Sequence, residues 1–115
     1  MKVYLCLPIN SREEESLELR KMEAADRAIS ITEFLLSELH PVTVINPLYI
    51  RASTYEEFIT KCLSELLKCD AIFIDKDTDL SRRCRLEKSA AMIYEKQILT
   101  LDSEGNLLRL QKHLH

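Results

Sequence analysis

The chain has 115 residues, 46% apolar and 30% charged, with a formal net charge of −3. That composition fits one globular domain able to bury about two-thirds of its unfolded surface, and it excludes a disordered chain and a general nucleic-acid binder. No apolar run approaches the roughly 20 residues of a membrane span, and the lone glycine, Gly105, excludes a P-loop or a GxGxxG dinucleotide site.

In chain order, Val3 to Leu7 is a short apolar run ended by Pro8 and predicts a buried strand. The run is too short for a signal h-region, so a cytoplasmic setting is expected. Ser11-x-x-Glu14 reads as a capping box. A long helix is expected after it, with Met22, Ala25, Ile29, Thr32, Leu36 and Leu39 as the inner stripe. A second apolar row, Leu17, Ala24, Ala28, Ile31 and Leu35, is wider than one sheet face can cover. It suggests a homodimer or larger closed homo-oligomer. His40-Pro41 stops the helix.

Val42 to Ile45 predicts a second strand, closed by Asn46-Pro47. Thr54-x-x-Glu57 opens a second helix with Ile59, Cys62, Leu63, Leu66 and Cys69 inward. Ala71 to Ile74 predicts a third strand, and Asp75 to Asp79 a polar loop. Ser81 or Asp79 caps a third helix expected to turn Leu86, Ala90, Ile93 and Tyr94 inward. Gln97 to Leu101 predicts a fourth strand. After a turn at Ser103 to Asn106, the segment with Leu107, Leu108 and Leu110 is either a hairpin strand or a short helix. Alternating apolar strands and helices imply an α/β fold, a doubly wound parallel sheet of four to five short strands in one domain. Ligands of such folds bind beyond the carboxyl ends of the strands, which selects the loops Pro8 to Ser11, Asn46 to Tyr49 and Asp75 to Ser81.

The third loop has the most unusual chemistry. Arg82, Arg83 and Arg85 occupy the first turns of a helix, where the dipole already supplies positive charge. An anion bound by the helix N-terminus, Ser81 and an arginine would offset that cost; the alternative is a solvated charged turn. Glu87 shares a face with Cys84, Ala91 and Tyr94. It is a nucleophile, a ligand acceptor, or an exposed residue paired with Arg83 at i−4. Asp75, Asp77 and Asp79 offer a general acid, but the run lacks the glycine and the twelfth-position glutamate of a calcium loop, so no metal is expected. The four cysteines have no zinc spacing and read as small buried hydrophobes in a reducing compartment. His40, His113 and His115 suggest no catalytic triad, and the last two sit at a terminus that tends to fray.

Four pieces occur in order: Val3-Tyr4-Leu5-Cys6-Leu7-Pro8-Ile9, Asn46-Pro47-Leu48, Cys69-Asp70-Ala71-Ile72, and Ser81 through Leu86-Glu87. Together they resemble the nucleoside 2-deoxyribosyltransferase superfamily over residues 1 to 101, most of all its small bacterial and phage members. The resemblance implies a flavodoxin-like sheet with a site at its carboxyl edge. It assigns Glu87 as a nucleophile toward the sugar anomeric carbon, the logic of retaining glycosidases. It also implies Ser81 as a phosphate contact and the loop from Pro8 to Asn10, with Asn10 in it, around the nucleoside. The residues themselves add Asp77 or Asp79 as the acid, Arg83 as a second phosphate contact and Asn46 in the loop after the second strand, with no cofactor and no metal.

Two positions depart from the family pattern. Cys62 stands where an aspartate commonly orients the nucleophile, and Arg83 stands where a glycine commonly allows close ligand approach. Arg83 either fills the pocket or clamps a phosphate. The expected function is therefore an N-glycosidase or deoxyribosyltransferase acting on a nucleoside or nucleotide, or else a non-catalytic nucleotide-binding module that kept the fold. A partner-binding domain without a small ligand is the third possibility. Neither a nucleic-acid polymer nor a membrane is expected as partner.

Overall fold

The computed structural model describes residues 1–8 and 17–110, with the backbone alone at 17–20. The capping box at Ser11, the loop residues Ile9 and Asn10, and His113 and His115 lie outside the described residues. The elements run β1 (Lys2–Cys6), α1 (Leu17–Glu38), β2 (Thr43–Ile45), α2 (Tyr55–Leu67), β3 (Ala71–Ile74), α3 (Arg82–Ile93), β4 (Gln97–Leu101) and β5 (Leu107–Leu110). Single 3-10 turns at Pro47–Tyr49 and Thr78–Leu80 follow β2 and β3.

The five strands form one sheet in the order β2-β1-β3-β4-β5. The first four are parallel, with Tyr4 opposite both Ile45 and Ile72, and Phe73 opposite Leu99. β5 returns antiparallel on β4 across the Gly105 turn, so the C-terminal leucines make a hairpin strand and the sheet is mixed. Gly105 sits at a φ of 83°, a left-handed conformation that glycine adopts without a Cβ clash.

Side chains alternate across each strand, and the two faces are covered by different helices. Val3, Leu5, Leu7, Ala71, Phe73 and Leu99 pack under Ala28, Ile31 and Leu35 of α1. Tyr4, Cys6, Ile72, Ile74 and Ile98 pack under α2 and α3, through Cys62, Leu66, Cys69, Cys84 and Ala91. The strands read as unbroken apolar runs because both faces are buried. Among the described residues no helix is long and apolar enough to cross a membrane.

The inner row of α1 is the reverse of the expected one. Ala24, Ala28, Ile31 and Leu35 are buried, whereas Met22, Ile29 and Leu36 are 65%, 54% and 46% exposed. The sheet face below carries Leu5, Leu7 and Phe73, large residues that leave room for alanines on the helix above. The row first read as surplus is the core row, and the row first read as core is the surplus. α2 follows expectation: Cys62, Leu66 and Cys69 are buried. Thr54 Oγ1 accepts from Glu57 N at 3.1 Å, and Glu57 returns a bond from Ser53 N at 3.0 Å.

α3 is also turned over. Arg83, Cys84, Glu87 and Ala91 face inward, while Leu86, Ile93 and Tyr94 are exposed. Two adjacent leucines of α1 test the assignment. Leu35→Ala should cost about 2–5 kcal/mol in denaturant unfolding, as large-to-small core changes do. Leu36→Ala, measured at a concentration where the chain is monomeric, should stay within about 0.5 kcal/mol of wild type, as a surface change does.

Candidate functional site

The carboxyl ends of β1 and β3 meet the N-terminal half of α3, and there the chain buries an ion pair. Ser81 is the N-cap of α3, its Oγ accepting from Cys84 N at 3.2 Å. The cap sets the helix phase that turns Arg83 and Glu87 inward at i and i+4. Arg83 and Glu87 are 4% and 0% exposed. Arg83 Nη1 donates to both Glu87 oxygens at 2.8 Å. Its Nη2 donates to the Leu7 carbonyl at the end of β1, and its guanidinium lies 5.5 Å from the centroid of the Phe58 ring on α2. Tyr4 of β1 donates its hydroxyl to Glu87 Oε2 at 2.7 Å.

Burial pushes the Glu87 carboxyl above its ordinary value, while Arg83 and the Tyr4 hydroxyl pull the other way. Burial draws the Arg83 guanidinium down, yet the charge of Glu87 reverses this and leaves it raised. Tyr4 is driven up first by burial and then by Glu87, so it remains a neutral donor. The anion that offsets Arg83 near the helix N-terminus is thus an internal carboxylate, while Arg82 and Arg85 are exposed.

Three cysteines surround this group. Cys6 Sγ lies 3.7 Å from the Cys84 carbonyl oxygen, and Cys62 stands beside the Tyr4 hydroxyl. A bond between the Cys6 and Cys84 side chains, and then burial, raise the Cys6 thiol; the same side-chain bond is the chief cause that lowers the Cys84 thiol. Cys6, Cys84 and Glu87 place ligand atoms within 4.8 Å of one another. Both Glu87 oxygens already accept from the Arg83 cation, an arrangement that opposes a second cation there. All four cysteines are free and buried, as their spacing predicts.

The other candidates scatter around this centre. Pro8 is half-buried just beyond the Leu7 carbonyl. Asn46 caps the turn after β2, its Oδ1 accepting from Leu48 N at 3.0 Å. It lines a shallow groove of about 670 Å³ with Tyr49, Arg51, Lys61 and Glu65, of which Glu87 is not a part. Asp77 and Asp79 are exposed, and Asp77 adopts a left-handed φ of 64° without capping the turn. Neither bonds to Glu87. Asp75 is buried and held by Arg27 of α1 in a two-pronged ion pair at 2.8 and 3.0 Å, which removes it from any acidic cluster. Sequence reasoning missed Tyr4 and Arg27. Tyr4 shares strand parity with Cys6, a usable signal; the pairing of Arg27 with Asp75 spans 48 residues and leaves no local one.

No family model and no curated protein matches the chain.

Two measurements probe the buried group. Arg83→Met should cost about 3–5 kcal/mol, because it strands a carboxylate in the interior. Adding Glu87→Leu should recover most of that loss, a coupling that a double-mutant cycle reads directly. The pH dependence follows from the thiols. Burial pushes Cys69 up from the ordinary 9.0 to about 11. Between these values the unfolded chain binds fewer protons than the native one. The contribution is present below pH 9 and lost as pH rises through 11, so the midpoint in urea should fall across that window. Cys69→Ala should shrink the fall.

Proposed function

We propose that this chain is a flavodoxin-like, nucleoside 2-deoxyribosyltransferase-type module that binds a nucleotide without turning it over. One observation carries the second half of that reading: Glu87 is fully buried, with both carboxylate oxygens engaged by Arg83. A glycosyl-transfer nucleophile must reach an anomeric carbon with a free oxygen lone pair. Here Arg83 stands where the resemblance expects glycine, and its side chain fills the space a sugar would need. Support for ligand binding comes from the strand order. The crossovers from β1 to β2 and from β2 to β3 run in opposite directions, so the ends of β1 and β3 flank a switch point. Pro8 follows the end of β1 and Ser81 opens α3 after β3, and no metal or cofactor is part of the reading.

A second reading has its own observation. The Arg83 guanidinium already divides itself between Glu87 and the Leu7 carbonyl just past β1. A substrate phosphate would compete for the same donors and release Glu87 as a nucleophile. The same experiment separates the two. Wild type should show a thermal shift with a nucleoside monophosphate and release no free base from a panel of nucleosides and nucleotides. Glu87→Gln should keep that binding within about tenfold, or 1.4 kcal/mol. Base release by wild type, abolished in Glu87→Gln, would establish the enzyme instead. No shift with any member of the panel would leave a partner-binding domain.

A further inference from the structure

Two helices leave apolar rows in solvent, on opposite faces of the sheet. On α1 the row is Met22, Ile29 and Leu36, at seven-residue steps and 65%, 54% and 46% exposed. On α3 it is Leu86 and Ile93, again seven residues apart and 45% and 75% exposed. Seven residues are two helical turns, about 10.5 Å, so the two rows share one repeat and mesh as knobs at coiled-coil spacing.

Their charged borders are opposite. Beside the α1 row stand Asp26 and Glu33. The one base between Met22 and Leu36, Arg27, is turned away onto Asp75. Beside the α3 row stand Arg82 and Arg85, and the one acid of that helix, Glu87, is buried. A contact of α1 with a second α1 would oppose acid to acid, and α3 with α3 would oppose base to base. α1 with α3 pairs apolar to apolar and acid to base. Within one chain the two helices cannot meet, because the sheet lies between them.

We propose that copies of this chain assemble head to tail, α1 of one protomer seated on α3 of the next. Such a contact is heterologous: it leaves one face of each terminal copy unsatisfied until a ring closes or a fibre grows. The occupant of each apolar row is therefore a second copy of this chain.

The test uses the full chain with one face blocked at a time. Ile29→Glu and Ile93→Glu change exposed side chains, and circular dichroism should match wild type. Wild type should exceed the monomer mass of 13.4 kDa by light scattering at micromolar concentration. Each variant alone should be monomeric. Mixed, they should form a one-to-one dimer and nothing larger, since each supplies the face the other lacks. A wild-type monomer overturns the proposal. So does either variant assembling with itself, which would mean a symmetric contact of its intact face. A charge swap gives an independent arm that leaves both rows in place. Asp26→Lys with Glu33→Lys should abolish assembly, and mixing with copies carrying Arg82→Glu and Arg85→Glu should restore it. Failure to restore also overturns the proposal.

Discussion

The Arg83–Glu87 pair is the constraint around which one whole side of this fold is organised. Taking two charges out of water costs several kcal/mol for each ion, and the cost is offset only where every donor and acceptor is matched. Here the matching draws on three elements. α3 supplies both ions, β1 supplies the Tyr4 hydroxyl and the Leu7 carbonyl, and α2 supplies the face of Phe58. The contacts to Tyr4, Leu7 and Phe58 do not survive a rotation of α3 about its axis or a slip of β1. The pair consequently fixes which side of α3 meets the sheet, more tightly than the modest apolar area of Cys84 and Ala91 would do alone.

That account explains where reading the sequence succeeded and where it did not. β3 and β4 were legible to the residue, since Ala71–Ile74 and Gln97–Leu101 are short apolar runs bounded by polar segments. α2 was legible too, because its buried face is its apolar face. The α3 prediction rested on the assumption that buried means apolar. Once an arginine and a glutamate take the inner positions, Leu86 and Ile93, on the opposite side of the turn, must face water. No periodicity of hydrophobic residues reports that inversion; the i, i+4 spacing of Arg83 and Glu87 was visible, but whether the pair was buried was not.

The α1 reversal has a different cause. Two apolar rows run along one helix, and the steps of three and four in the sequence point to the row with Met22, Ile29 and Leu36 as core. The sheet decides otherwise. Leu5, Leu7 and Phe73 already fill the layer beneath, and a helix approaches such a face closely only through residues as small as Ala24 and Ala28. The candidate site shows the same mixture. The sequence offers Glu87 and Arg83 as candidates and includes their pairing at i−4, but with Glu87 exposed. Their complete burial with Tyr4 depends on strand parity and on contacts across 83 residues of sequence.

The sealed carboxylate and the exposed rows are therefore consequences of one choice. A helix has a limited inner face, and each position given to a charge is lost to a hydrophobe. α3 spends two such positions on Arg83 and Glu87, and the displaced leucine and isoleucine form an apolar surface ringed by the remaining arginines. On the far side of the sheet, α1 meets large side chains with alanines and so leaves its own larger residues outside, ringed by acids. Each surface would be an aggregation hazard by itself, because exposed apolar rows seek any cover. The opposite charges on their borders restrict what can cover them, and the interior ion pair of Arg83 and Glu87 is what turns the α3 surface outward in the first place.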